Sequence, residues 1–232
     1  MSLRSLIVAV SAALLCTGAA AFDLQGHRGT RGLAPENTLA AFERAMQIGV
    51  TTLETDVHLS ADGILVLSHD PRINVDLARD AQGAWLTSAG PLLRDLTLAQ
   101  IQAYDVGRLK PGTAYARGFP SQQPVDGQRI PTLAALFEKV RELGADAVRF
   151  NIEVKMNPHQ PEETPPFEQI VDALLAQVKQ SGMEARVTIQ GFDWRALQHI
   201  HEIGALINDA PIARQVAAVF QLDWDAAAAA AD

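Results

Sequence analysis

Short β-type runs alternate with helical ones along most of this chain, and that alternation restricts the fold more than any other feature. Phe22–Gln25, Thr52–Leu59, Ile64–Ser68, Ala147–Val154 and Val187–Gln190 read as strands. Ala61-Asp62-Gly63 supplies the turn between the second and the third. Between the strands, apolar residues recur at helical spacing. Leu39, Phe42, Ala45 and Met46 mark a helix over Thr38–Ile48, which Asn37 or Thr38 can cap and Gly49 ends. Further helices are expected from Pro131 to Leu143, over Phe167–Ser181 and over Trp194–Ile203. Strands alternating with helices give βα units, hence an α/β fold with a parallel sheet. Pro71–Arg94 and Tyr104–Ile130 are rich in Gly, Pro, Asp and Gln. They read as long excursions, with a short helix at Leu98–Ala103 between them.

The first 21 residues have a different character. A positive charge at Arg4, an apolar stretch over Leu6–Leu15 and small residues ending in Ala-x-Ala predict a signal peptide cut near Ala21. Its apolar core is about ten residues, half of what spans a bilayer, and no later segment is long enough. A periplasmic or secreted location follows. Cleavage removes Cys16, the single cysteine, so the mature chain needs no disulfide in a compartment that permits one. A formal net charge of −8, without clusters of Lys and Arg, argues against nucleic-acid binding.

Charged residues on the predicted strands carry the chemistry. Glu54 and Asp56 are two apart, so they share one face of their strand; Asn151, Glu153 and Lys155 share a face of theirs. Carboxylates on otherwise apolar strands are costly unless a partner or a cation meets them. Glu54, Asp56 and Glu153 converging at strand ends would make an oxygen-rich site for one divalent cation, Ca²⁺ or Mg²⁺. His27, in Gly-His-Arg-Gly, and His69, in Ser-His-Asp-Pro, each follow a predicted strand directly. Two histidines so placed fit a general acid and a general base either side of a phosphorus atom. Arg28 offers a planar fork for phosphate oxygens and Lys155 a charge to neutralise them; both residues equally suit ion pairs with the neighbouring carboxylates. Gly26, Gly29 and Gly32 would let backbone approach a ligand or serve as ordinary loop glycines.

Taken in order, GHRG, APENT, LETDV, ADGILVLSHDP and NIEVK resemble the motifs of the glycerophosphodiester phosphodiesterase family, and the likeness runs from about Leu24 to Asp193. The resemblance implies a (β/α)8 TIM barrel with its site at the C-terminal ends of the strands. It implies Glu54, Asp56 and Glu153 as metal ligands, His27 and His69 as the acid–base pair, and Arg28 and Lys155 at the substrate phosphate. Glu36, in PENT, would either reach the site or favour the start of the helix that follows it. The implied reaction is hydrolysis of a small-molecule glycerophosphodiester to glycerol 3-phosphate and an alcohol. Water and the substrate's own glycerol 2-OH both remain open as the attacking group, and neither the alcohol nor the oligomeric state is encoded in the motifs.

The likeness fades after Ile203. The sequence supplies about five of eight βα units, so residues 22–206 are expected to form a partial barrel and 207–232 a non-matching, Ala-rich tail. A truncated phosphodiesterase is the first expectation. A fragment that binds metal or phosphate without turnover is the alternative.

Overall fold

The computed structural model describes residues 22–202. The leader and the Ala-rich tail expected from the sequence lie outside the described residues. Within them run strands β1 (Gln25–Gly26), β2 (Thr52–Leu59), β3 (Leu65–Leu67), β4 (Arg149–Val154) and β5 (Val187–Gln190). The helices are α1 (Leu39–Ile48), α2 (Leu98–Ile101), α3 (Ala114–Gly118), α4 (Leu133–Glu142), α5 (Phe167–Gln180) and α6 (Trp194–Glu202). None is long and apolar enough to cross a membrane.

Strands β1, β2, β4 and β5 lie side by side in that order, all parallel. This is an arc of a parallel α/β barrel. The third strand departs from expectation: β3 pairs antiparallel with β2, off the path of the arc. The cause is the short turn at Ser60–Ile64, with Gly63 at φ 76°. Two strands joined by so few residues form a hairpin, because a parallel return needs a crossover of a dozen residues or more. The described residues therefore supply four barrel strands, not five.

Register decides which side chains face where. Six residue pairs align β2 with β4, from Thr52 opposite Arg149 to Val57 opposite Val154. Leu53 and Val57, with Phe150, Ile152 and Val154, join the helix-covered core. Helices α1, α4 and α5 each contribute an apolar stripe: Phe42 and Ala45, then Leu136, Phe137 and Val140, then Ile170, Val171 and Leu174. Phe137 meets Phe150 edge-on at 4.9 Å, a favoured aromatic geometry. The intervening residues Glu54 and Asp56, Asn151 and Glu153, fall by alternation on the other face.

Caps fix where α1 and α4 begin. The Thr38 hydroxyl accepts from the Ala41 amide (3.2 Å), and that of Thr132 from the Ala135 amide (3.0 Å). Gly49, at φ 89°, closes α1 in the left-handed conformation.

Residues 68–130 form an excursion with a small core, in which Ile73, Ala78, Leu93, Ile101 and Ile130 pack with Val66 of β3. Ion pairs tie its turns together. Arg79 bridges Asp105 (2.6 Å) and Asp126 (2.5 Å), and Arg108 also grips Asp126 (2.5 Å). Helix α3, within the expected loop over Tyr104–Ile130, is an addition to the sequence reading.

Candidate active site

Glu54 and Asp56 on β2 and Glu153 on β4 come together as the sequence predicts. Each offers an oxygen within 4.8 Å of the others, and all three are buried. Register explains the convergence, since Asp56 lies directly opposite Glu153. Like charges so placed repel one another. Burial, and then the neighbouring Asp56, push the Glu54 carboxyl up to about 7. A buried, mutually repelling, all-oxygen donor set suits a hard divalent cation such as Ca²⁺ or Mg²⁺.

Protein cations partly offset that charge. Lys155 Nζ lies 2.8 Å from Glu153 Oε1 and 3.7 Å from Asp56 Oδ1, so in this structure it pairs with the carboxylates. Arg28 Nε sits 3.4 Å from Asp56 Oδ2, near enough for attraction but not aligned for a hydrogen bond. The Arg28 backbone also takes part. Its φ of 50° is unusual for a non-glycine residue, and its amide donates to Glu54 Oε2 at 2.7 Å. Asn37 is the second such residue, at φ 52°. Its Nδ2 donates to Asp56 Oδ2 (3.0 Å) while its Oδ1 accepts from the Thr55 hydroxyl (2.9 Å).

Of the three loop glycines, two are needed to pack the β1–α1 loop and not for contact with a ligand. A Cβ on Gly26 would lie 2.4 Å from the Gly29 carbonyl oxygen, and one on Gly29 would lie 2.8 Å from the Ala41 backbone. A Cβ on Gly32 would meet nothing. Glu36 stands outside the first turn of α1. One of its oxygens accepts from Arg28 Nη1 at 2.8 Å and the other from the Tyr115 hydroxyl. Its contacts are thus with the site's arginine and not with the helix start.

His27 and His69 line one open cleft of about 390 Å³, together with Arg28, Glu54, Glu153 and Lys155. His27 Nε2 is 3.7 Å from Glu54 Oε2. Desolvation, and then Arg31 and Arg28, hold the imidazole below its usual value. His69 Nδ1 lies 2.8 Å from Asp70 Oδ1. Burial tends to raise Asp70, but hydrogen bonds from His69 and Asn74 prevail and keep it an anion. An ionised carboxylate only accepts, so Nδ1 carries the proton and Nε2 is left for exchange. Beneath it, buried His58 reaches the His69 carbonyl oxygen at 3.3 Å. Burial drives His58 down to about 4, so it is neutral there at pH 7.

Sequence reasoning passed over four of these groups. Asp70 stands inside ADGILVLSHDP and His58 directly after LETDV, within the second predicted strand, so both are findable there. Asn37 was noted only as a possible cap. Tyr115 lies 79 residues from Glu36 and gave no local signal.

Comparison with known proteins agrees with this geometry. Residues 27–231 match the model of the glycerophosphoryl diester phosphodiesterase family. A glycerophosphodiester phosphodiesterase of Caldanaerobacter subterraneus subsp. tengcongensis is 33% identical over 177 residues, 76% of this chain and 60% of that protein. Among solved structures, one from Silicibacter pomeroyi, provisionally assigned as a glycerophosphoryl diester phosphodiesterase, superposes with a TM-score of 0.75 at 35% identity. The match covers 82% of this chain and 64% of that one. A phosphodiesterase of Oleispira antarctica, solved with the product sn-glycerol 3-phosphate, gives a TM-score of 0.55 at 25% identity over 79% of this chain and 62% of that one. The chain spans about 60% of the length of such relatives. Four parallel strands in barrel order, three clustered buried carboxylates and a match over most of its length make this chain a member of the glycerophosphoryl diester phosphodiesterase family.

Proposed function

We propose that the protein is a divalent-cation-dependent phosphodiesterase that hydrolyses a glycerophosphodiester to sn-glycerol 3-phosphate and an alcohol. The observation that carries the proposal is the buried Glu54–Asp56–Glu153 cluster, of which Glu54 and Glu153 line the same cleft as His27 and His69. The family membership and the product found in the Oleispira antarctica relative support the choice of ester.

A cation held by the three carboxylates would polarise the phosphoryl oxygens and lower the pKa of an attacking hydroxyl. The remaining work falls to protein side chains. Arg28 binds the phosphate through its guanidinium, which Glu36 holds in place. Lys155, released in part from Glu153 and Asp56, offers positive charge to the developing anion. His27 and His69 move protons, one taken from the attacking hydroxyl and one given to the departing alkoxide. Asp70 keeps His69 in the tautomer that presents Nε2.

The test uses purified protein with glycerophosphocholine and either Ca²⁺ or Mg²⁺, reading release of sn-glycerol 3-phosphate against a chelator control. No release with either ion would overturn the proposal. His27→Ala and His69→Ala are each expected to lower turnover by about 10²–10⁴-fold, with cation affinity nearly unchanged by calorimetry. Near-normal turnover in either variant would remove that histidine from the acid–base pair. Export through the leader belongs to the same reading, and is checked by whether mature protein recovered from the periplasm or medium begins near Phe22.

A further inference from the structure

The excursion touches the catalytic loop through a side chain that the mechanism above does not use. Tyr115, on the short helix α3, donates its hydroxyl to Glu36, whose other oxygen holds Arg28 Nη1. All three side chains are buried or half-buried. The contact is one of several between these segments. The Tyr115 ring packs on Phe119 at 5.2 Å, and Phe119 lies under the Arg31 guanidinium at 5.0 Å. Gln122 donates to the Arg31 carbonyl oxygen at 2.6 Å, and the Gln123 amide to that of Leu33 at 2.9 Å. A segment some eighty residues downstream thus grips the β1–α1 loop at Arg31, Leu33 and Glu36, Arg28's carboxylate partner.

A glutamate with one oxygen unpaired can swing or turn its carboxyl group, and a buried arginine then loses its fixed partner. With Tyr115 on one oxygen, only the other is left to Arg28, in one orientation. We propose that Tyr115 is a positioning residue for phosphate binding: by holding Glu36 it fixes the direction in which Arg28 presents its fork to the ligand. The excursion thereby sets the phosphate end of the site, beyond supplying a wall. The phosphodiesterase reading enters only in the choice of ligand.

Tyr115→Phe keeps the ring on Phe119 and removes the hydroxyl alone. Calorimetry of sn-glycerol 3-phosphate binding, with Ca²⁺ present and no turnover required, reads the effect. The variant is expected to bind about fivefold to tenfold more weakly, as for a lost hydrogen bond to a charged group partly replaced by water. Its Ca²⁺ affinity should match that of wild type, and its melting temperature should fall by no more than one lost hydrogen bond accounts for. On an Arg28→Lys background, Tyr115→Phe is expected to add no further loss, because the tyrosine acts only through that fork. Isosteric Glu36→Gln tests the same link from its other end and is expected to weaken binding at least as much. Unchanged binding in Tyr115→Phe or Glu36→Gln overturns the proposal, as does a loss that simply adds to that of Arg28→Lys. A wild type that binds sn-glycerol 3-phosphate yet hydrolyses nothing would sink the catalytic reading and leave this one standing. A wild type that does not bind it would sink both.

Discussion

The barrel arc and the excursion hold the two ends of one cleft by different means. In the arc, the carboxylates stand on β2 and β4, whose backbones are locked in register over six residue pairs. Their backing is a core of twenty-two buried apolar residues. In the excursion, His69 and Tyr115 stand on loops or a one-turn helix, backed by five buried apolar residues of the excursion with Val66 of β3 and by the ion pairs around Asp126. The contrast separates two demands. Charges that repel must be forced together by a rigid frame, whereas the roles proposed for His69 and Tyr115 would rest on a frame made of turns. Stability is therefore expected to be uneven, with the excursion opening at lower cost than the arc.

Core truncations give the strongest test of that difference. Phe150→Ala removes a fully buried ring from the arc, and a loss of about 3–5 kcal/mol is expected. Urea denaturation should show it as one shift of the whole transition, with cation binding and fold lost together. A smaller loss, about 2–4 kcal/mol, is expected from Ile101→Ala in the excursion core. There, hydrogen exchange should speed up over residues 68–130 while β2 and β4 stay protected. On the proposed mechanism, turnover should fall because His69 stands at the root of the excursion, with cation affinity kept. Uniform loss of protection in Ile101→Ala would mean that the two regions unfold as one.

The smallest effect concerns acid. Arg108 and Arg79 hold the exposed Asp126 carboxyl at about 2, below its ordinary 3.8. A carboxyl lowered on folding stabilises above its unfolded value, and that contribution fades as pH falls through the folded one. Asp126→Asn should thus melt slightly below wild type at pH 6, and the gap should narrow steadily as pH falls from about 4 towards 2. A gap that does not narrow over that range would assign the difference to shape and not to charge.

Much of the arc was legible because it obeys local rules. Periodicity marked β2, β5 and helices α1, α4 and α5 to within a residue or two, since their apolar stripes are unbroken. The spacing of Glu54 and Asp56 gave their shared face, because strand alternation needs no tertiary knowledge. The third strand was located correctly but its direction was not, although the turn at Ala61–Gly63 already implied a hairpin. The role of Glu36 was hidden for a different reason. Its contacts depend on where Tyr115 arrives after an excursion held by isolated bridges and ion pairs, and no period in the sequence encodes that path.

The pairing of β2 has one further consequence, for the folding of a population of molecules. A slip of one residue would exchange the strand's faces, turning Leu53, Thr55 and Val57 into the cleft and Glu54 and Asp56 into the oily layer beneath the helices. A molecule folded with that error would have no place for a cation. If the cluster holds a cation as proposed, the stoichiometry of a divalent-cation titration would then count the correctly threaded molecules in a refolded sample, a measure of folding fidelity that spectroscopy of secondary structure cannot supply.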